Sequence, residues 1–263
     1  MKFFQISFFL CFVILLGCKD ERKTDADLEQ LVVDEAIKVI GGEKFKHSVI
    51  EFDFRDRLYK ATRDRWKFQY ERFTQDSLGI IRDVLSNSGF QRFINDSLVV
   101  VADTMVVKYT SSVNAVHYFS ILPFGLNDKA VNKTYLGETV IKDKTYHKVK
   151  ITFNEEGGGE DFEDVFVYWI NTANFRVDYL AYSYIEDNND IGLRFREAYN
   201  RREVNGLVFV DYNNYKPKAS ITSEFELDKL LSLDRKFQVD SLQLLSKIEL
   251  ENIQVSLLPK VDQ

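Results

Sequence analysis

Two long blocks of this chain alternate apolar and polar residues, and this alternation constrains the fold more than any other feature. The first block covers residues 49–101 and the second covers residues 135–215. A period of two places every second side chain on the same face of a strand, so each block predicts a meander of antiparallel strands. The predicted strands are 49–54, 58–62, 66–73, 79–85 and 90–94, followed by 135–141, 145–153, 162–170, 175–185, 191–199 and 207–215.

A helix is predicted before each block. In residues 28–40 the apolar side chains recur at three- and four-residue steps, Asp27 supplies an N-cap, and Gly41-Gly42 ends the segment. A similar period predicts a second helix over residues 106–120. Near the end of the chain, residues 245–258 alternate cleanly and are predicted as one last strand.

The order of helix, meander, helix and meander predicts an α+β protein that is mostly antiparallel β, with about eleven strands. A single antiparallel sheet of that size curls. We therefore expect a curved sheet or an incomplete β-barrel with a few helices covering the concave face. Residues 27–263 are enough for one β-rich domain, although two domains remain an alternative.

The chain begins with a secretory signal over residues 1–17. Lys2 provides a positive start, and residues 3–16 are almost wholly apolar but too short to span a bilayer, which takes about 20 apolar residues. The run Leu15-Leu16-Gly17-Cys18 resembles the lipobox of bacterial lipoproteins, in which the signal is cut before the cysteine. That resemblance implies that Cys18 carries acyl chains such as palmitate. The alternative is a plain secreted protein.

An acylated Cys18 implies a protein of the bacterial cell envelope, anchored to the outer membrane. Residues 18–26 are charged and aperiodic, as expected of a tether. Lysine and acidic residues directly after the anchor are similar to the signal that sends some Bacteroidota lipoproteins to the cell surface, and an ordinary polar tether is the alternative. The domain is thus predicted to face either the periplasm or the cell exterior.

Charge and cysteine content exclude several classes of function. The net charge is −6, and the acidic surface that this predicts lacks the basic patch that nucleic acid requires. Cys11 leaves with the signal, so Cys18 is the last cysteine of the mature chain. No disulfide can form there, and once Cys18 is acylated no thiol remains for catalysis.

An acidic, glycine-rich loop over residues 155–164 is a weak candidate metal site. Clustered carboxylates suit hard cations such as Ca²⁺, but the spacing of an EF-hand is absent. A solvated turn between strands is the favoured interpretation. Within the loop, the carboxylates considered as candidate ligands are Glu160, Asp161, Glu163 and Asp164.

Aromatic residues, 22 Phe, 13 Tyr and 2 Trp, supply the candidate ligand-binding set, and the alternative is that their stripes are plain core. Alternation places Trp66, Phe68 and Tyr70 on one face of their strand, and Tyr182 and Tyr184 on the face opposite to Tyr179. A curved sheet with an incompletely filled concavity offers an apolar groove. Together with His117 on the second helix, the predicted ligand-binding residues are Trp66, Phe68, Tyr70, His117, Trp169 and Tyr179.

No catalytic motif is present. The three histidines, His47, His117 and His147, form no close metal-binding pair, and the chain has no GxSxG sequence. The chain is therefore predicted not to be an enzyme and to need no cofactor.

Four runs of the chain resemble an uncharacterised, domain-of-unknown-function family of Bacteroidota lipoproteins. They are residues 135–139, 157–169, 195–199 and 210–212. The resemblance implies no activity and no catalytic residues. More distantly, the order of helices and meanders resembles the carriers and receptors of lipoprotein localisation, LolA and LolB, whose fold is a curved antiparallel sheet around helices and an apolar cavity for acyl chains.

Three functions follow from these patterns, in order of preference. The first is a membrane-anchored envelope lipoprotein that binds a lipid or another hydrophobic ligand in the concavity of the sheet, without catalysis. The second is an interaction or assembly subunit with an envelope protein as its partner and no ligand. The third is a metal-dependent hydrolase that uses the loop of residues 155–164.

Overall fold

A computed structural model describes residues 25–159, 162–185, 190–218 and 225–259. The predicted signal, Cys18 and nearly all of the tether lie outside these residues. In the described part, fourteen strands form two seven-stranded antiparallel sheets, which are open and curved. Their strand orders are β14-β1-β2-β3-β4-β5-β6 for the first sheet and β13-β12-β11-β10-β9-β8-β7 for the second.

The first sheet comes from the first predicted meander plus the end of the chain. Its strands are β1 His47–Phe54, β2 Arg57–Asp64, β3 Lys67–Asp76, β4 Gly79–Ser86, β5 Gly89–Ile94, β6 Ser97–Val99 and β14 Glu251–Leu257. Asn95 and Asp96, between β5 and β6, both have positive φ, at 47° and 63°. Two positive values in succession are the signature of a tight hairpin, which confirms the turn predicted there.

The second sheet comes from the second predicted meander. Its strands are β7 Val131–Ile141, β8 Lys144–Phe153, β9 Val165–Asn171, β10 Val177–Ile185, β11 Ile191–Val204, β12 Leu207–Pro217 and β13 Leu242–Ile248. The turns at Lys142-Asp143 and Asn205-Gly206 again have positive φ at both residues. Every strand that was predicted in this block is present.

The prediction of a single last strand over residues 245–258 is wrong. Glu249 and Leu250 divide it, so that β13 pairs with β12 in the second sheet and β14 pairs with β1 in the first. The division arises because the backbone of Leu250 is bonded by side chains: its N–H donates to Asp211 Oδ1 at 3.0 Å, and its carbonyl accepts from Arg202. Because of this division and the short β6, the number of strands is fourteen instead of about eleven.

Helices lie between the two sheets, as predicted for the concave face. Helix α1, Asp25–Val39, begins close to its predicted start and ends before Gly41, and α2 spans Asp103–Phe119. The main hydrophobic core joins α1, α2 and the inner faces of both sheets. Its buried members include Val32, Val33, Ala36, Ile50, Phe52, Tyr59, Val116, Ile151, Tyr168, Leu180 and Phe209.

The second sheet carries another core on its outer face. Two short helices, Leu227–Leu231 and Leu233–Gln238, pack there, and we refer to them as the helix pair. Their apolar side chains pack with outward residues of six strands. This second core contains Ile141, Tyr146, Val167, Trp169, Tyr179, Ala181, Phe195, Leu230, Leu233 and Leu242. The second sheet is therefore packed on both faces.

Among the described residues, the first sheet has a hydrophobic core on its inner face only. Its outer face carries a row of side chains opposite one another on adjacent strands, Leu58, Phe73, Arg82, Phe93 and Leu98, which we call the outer ladder. No residue of the outer ladder belongs to either core, and Leu98 is 62 % exposed. None of the helices in the described ranges is long and apolar enough to cross a membrane.

Candidate functional site

Three of the predicted ligand-binding residues come together between α2 and the first sheet. Phe68 and Tyr70 lie on the inner face of β3 with their ring centroids 4.8 Å apart, and the His117 imidazole stacks on Tyr70 at 4.7 Å. Trp66 is separate, because it lies in the turn between β2 and β3 and is 70 % exposed.

His117 is completely enclosed by protein, with no exposed surface. The rings of Phe52, Tyr59 and Tyr70 surround it. Its Nε2 lies 3.1 Å from the carbonyl oxygen of Glu71, which can only accept, so we assign the proton to Nε2. Burial lowers the pKa of His117 to about 3, helped by the nearby charge of Arg63. A neutral, fully packed imidazole of this kind supports the core rather than presenting a surface.

The other two predicted residues, Trp169 and Tyr179, lie on the opposite face of the second sheet. Both belong to the core beneath the helix pair, and both pack against Phe195, each at a ring distance of 5.6 Å. The backbone of the sheet therefore separates them from the Tyr70–His117 group. The six predicted residues occupy three places in the molecule.

The candidate metal ligands are only partly described. Glu160 and Asp161 fall outside the described residues, Glu163 is exposed, and Asp164 is partly buried. A helical turn, Glu155–Gly158, forms the start of the loop. Within the described ranges, no three His, Cys, Asp or Glu side chains are grouped so that they could hold a metal ion.

The sequence prediction missed a continuous line of aromatic rings on the inner face of the second sheet. Neighbouring rings are 6.5, 5.8, 5.2 and 6.0 Å apart along the line. All five side chains are partly buried, between the fully packed core and the solvent. The line, which we call the aromatic row, consists of Tyr118, Phe153, Phe166, Tyr182 and Tyr184.

Strand register explains how the aromatic row forms. Phe166 on β9 is directly opposite Tyr182 on β10, and directly opposite pairs have their side chains on the same face. Gly192 on β11 is opposite Tyr184, and a Cβ at Gly192 would lie 2.3 Å from the tyrosine ring. The missing side chain thus leaves the space that the last ring of the row occupies.

Two arginines of β11 border the aromatic row. The Arg194 guanidinium lies 4.8 Å from the centre of the Tyr184 ring. Arg196 donates from Nη2 to the Tyr182 hydroxyl at 3.0 Å and lies 4.9 Å from the centre of that ring. Phe119 and Tyr212 also face the Arg196 guanidinium, at 5.6 and 5.9 Å. These contacts orient both cations along the row.

Neither arginine forms an ion pair with a carboxylate among the described residues. The buried Nε of Arg196 also has no hydrogen-bond partner there, and the same is true of Oδ1 of Asn214. These two residues are opposite each other on β11 and β12, and Asn214 is only 7 % exposed. The arrangement therefore combines an apolar aromatic surface with cationic and polar groups that the protein leaves unsatisfied.

On the inner face of the first sheet, two arginines form ion pairs with a carboxylate. Arg72 and Arg92 both bind Asp83, each with a shortest distance of 2.6 Å. Arg72 also donates to the hydroxyl of Ser112 on α2 at 2.7 Å. The charges of Arg72 and Arg92 are thus neutralised within the protein, in contrast to those of Arg194 and Arg196 next to the aromatic row.

Comparison with known proteins gives a family but no activity. A family model described as "Family of unknown function (DUF6503)" matches residues 3–249. No curated protein matches the sequence.

Two solved structures are similar to the chain at low sequence identity. A LolA superfamily protein from Nitrosomonas europaea shows 10 % identity and a TM-score of 0.46, over 89 % of this chain and 94 % of that one. A DUF1329 family protein from Desulfovibrio piger shows 6 % identity and a TM-score of 0.44, over 86 % of this chain and 92 % of that one. These neighbours include the carrier superfamily that the order of helices and strands resembles.

Proposed function

The chain belongs to DUF6503, a family of unknown function, and from that premise we propose that it is a membrane-anchored envelope lipoprotein that binds a lipid or another hydrophobic ligand without catalysis. The observation that carries the proposal is the aromatic row, a line of five partly buried rings on the concave side of the second sheet.

Membrane attachment is proposed at Cys18, in a tether outside the described residues. The lipobox-like run of residues 15–18 supports it. Several acyl chains on one residue anchor a protein stably, whereas a single chain gives only marginal binding. We place the protein at the outer membrane of a bacterial envelope, facing the periplasm or the cell exterior.

Cys18→Ser tests the anchor. The unaltered protein is expected in the membrane fraction with incorporated labelled palmitate, whereas the variant is expected in the soluble fraction without label. Equal labelling of both proteins would contradict acylation at Cys18.

The ligand site is proposed along the aromatic row because its rings join the packed core at one end and leave it at the other. Tyr118, Phe153, Phe166 and Tyr182 pack against the main core, whereas Tyr184 lies beyond it. An acyl chain laid along the row would remove apolar surface from water. At roughly 25 cal/mol per Å², covering about 200 Å² would contribute on the order of 5 kcal/mol.

Binding of a fluorescent fatty-acid analogue to the mature chain carrying Cys18→Ser tests this site. Phe166→Ala is expected to weaken binding at least tenfold, because it removes the central ring of the row. Phe93→Ala is the matched control, since Phe93 is a partly buried phenylalanine on the outer face of the other sheet. Equal affinity of the two variants for the analogue would show that it does not bind along the aromatic row.

The outer ladder favours a second candidate function, an interaction or assembly subunit. Leu58 and Leu98 are exposed, Phe73 and Phe93 are partly buried, and an apolar surface of this kind suits a protein partner in the envelope. A partner captured by the unaltered chain and lost with Leu98→Lys would support this function. The metal-dependent hydrolase has no comparable support among the described residues.

A further inference from the structure

We infer that Arg194 and Arg196 form a head-group subsite, which makes the aromatic row selective for amphiphiles that end in an anionic group, either a carboxylate or a phosphate. The inference rests on the proposed function, since it assigns the polar end of the same site. Its starting observation is a guanidinium that the protein holds inside the concavity with no counter-ion among the described residues.

An unpaired arginine in this position is costly. The guanidinium stays protonated under physiological conditions, and transfer of a charge away from water is repaid only by a partner of opposite charge or by several hydrogen bonds. Other partly buried arginines of the same sheet have such partners: Arg201 binds Asp178 at 3.0 Å and Arg202 binds Asp211 at 2.9 Å. Arg196 has one tyrosine hydroxyl and three aromatic rings.

The unused donors of Arg196 lie where a ligand on the row would end. Tyr182 is a member of the row and also accepts from Arg196 Nη2, so the guanidinium and the apolar surface meet at one side chain. The Nε–H donor is buried and has no partner among the described residues. Arg194, which is opposite Tyr182 in the strand register, adds a second positive charge. Carboxylate and phosphate oxygens are the acceptors that the guanidinium geometry fits best.

Asn214 supplies a further polar contact for the same group. Its Nδ2 donates to the Ser246 hydroxyl at 3.2 Å, and its Oδ1 has no partner. A hydroxyl both donates and accepts, so Ser246 can bond either end of the amide. Rotation of the amide would let Oδ1 accept from Ser246 and would turn the NH₂ group towards an anion bound to Arg196.

Arg63 is a useful contrast, because it is buried and its Nη1 also has no partner. Its Nε donates to the Tyr70 hydroxyl at 3.2 Å, beneath α2 and away from the row. An unpaired guanidinium alone therefore does not make a subsite. What distinguishes Arg196 is its place next to a partly open apolar surface.

The experiment compares two ligands with the same chain, oleic acid and oleyl alcohol, by calorimetry on the mature chain carrying Cys18→Ser. We expect oleate to bind about tenfold more tightly than the alcohol, as charge-assisted hydrogen bonds would give. Arg196→Gln should bring the two affinities within about twofold of each other, mainly through weaker binding of oleate. Arg194→Gln should reduce the ratio by a smaller factor, because Arg194 donates to its own strand.

Arg176→Gln is the control variant, because it removes one positive charge from an exposed position of the same sheet and should leave the ratio unchanged. Acetate and inorganic phosphate without a chain separate a lipid head group from a free anion. Binding of either anion as tightly as oleate would overturn the assignment to an amphiphile.

Failure of this inference can be distinguished from failure of the proposed function. Equal affinity of the unaltered protein for oleate and oleyl alcohol would overturn the head-group subsite and leave hydrophobic binding intact. Binding of neither ligand would overturn both. A ratio that persists in Arg196→Gln, with thermal unfolding showing the variant folded, would also refute the role of this arginine.

Discussion

The two sheets have equal numbers of strands but opposite arrangements of their faces. In the first sheet the inner face is closed by α2 and Asp83 neutralises two of its arginines, while the outer face carries the outer ladder, with Leu58 and Leu98 exposed to solvent. In the second sheet the outer face is closed by the helix pair, and the inner face leaves the aromatic row and two arginines partly open. One fold thus offers two surfaces of different character. One is the partly enclosed aromatic row with its two arginines, and the other is the apolar outer ladder.

The largest expected effect concerns the buried charges of the two inner faces. Asp83, 1 % exposed, neutralises Arg72 and Arg92, so Asp83→Asn leaves two guanidiniums without a carboxylate and should lower the free energy of unfolding by about 4 kcal/mol. Arg196→Gln should change it by less than about 1 kcal/mol, because no ion pair is lost. Urea unfolding of both variants measures the contrast. Comparable losses would mean that Arg196 is already compensated in the free protein.

The two outer faces should differ in a similar way. Phe237 of the helix pair packs against Tyr179, Phe195 and Tyr215 at ring distances of 5.0 to 5.5 Å. Phe237→Ala should cost about 3 kcal/mol, the usual loss for a large side chain in a core. Phe93→Ala on the outer ladder should cost about 1 kcal/mol, since it loses one face of packing and the cation-π contact with Arg82 at 4.4 Å. Equal costs would show that the ladder is covered.

His117 makes the closed side of the first sheet sensitive to acid. Its pKa is lowered to about 3 by burial, whereas an unfolded histidine titrates near 6.5, so the unfolded state binds the extra proton between these values. Stability should therefore fall as the pH falls from about 6.5 towards 3. The loss at pH 5 should be roughly 2 kcal/mol relative to His117→Gln, which does not titrate. Parallel stability curves for the two proteins from pH 7 to pH 5 would contradict a buried neutral imidazole.

The smallest effect is expected at the open edge of the outer ladder. Leu98→Lys changes an exposed side chain, so the free energy of unfolding should stay within about 0.5 kcal/mol of the unaltered protein. Any difference between the two proteins in sedimentation velocity would then reflect association through this surface and not a change in folding. A large loss of stability would show that Leu98 is part of a packed interface within the monomer.

Local structure was largely predictable from the sequence, whereas the choice of face was not. Alternation placed Tyr179 on one face and Tyr182 and Tyr184 on the other, and the strand register confirms that division. It could not indicate which face is concave, because both faces of β10 are apolar. The helix pair determines which face is concave, because it covers the other one. Its sequence pattern is too short to indicate which sheet face it covers. Trp169 and Tyr179 were therefore assigned to the ligand site while the rings of the aromatic row were left out.

The division of the last predicted strand between the two sheets was the other feature that the sequence did not predict. The apolar positions change phase after Leu250, from Ile248 and Leu250 to Ile253, Val255 and Leu257, but this break does not indicate which sheet each half joins. The change of sheet depends on Arg202 and Asp211, which are distant in sequence and bond the backbone at that point. A period-two pattern reports which side chains share a face, but it does not report which strand lies alongside.

The pairing of β14 with β1 also determines when the first sheet can finish folding. Ser48 is opposite Leu257, so one edge of the first sheet has its neighbour only when almost the whole chain is available. An open strand edge invites pairing with other chains. During synthesis, when the amino-terminal part emerges first, we expect β1 to remain uncovered until β14 is made. The last strand thus covers β1, and a chain that lacks β14 would instead expose β1 as an edge available for misassembly.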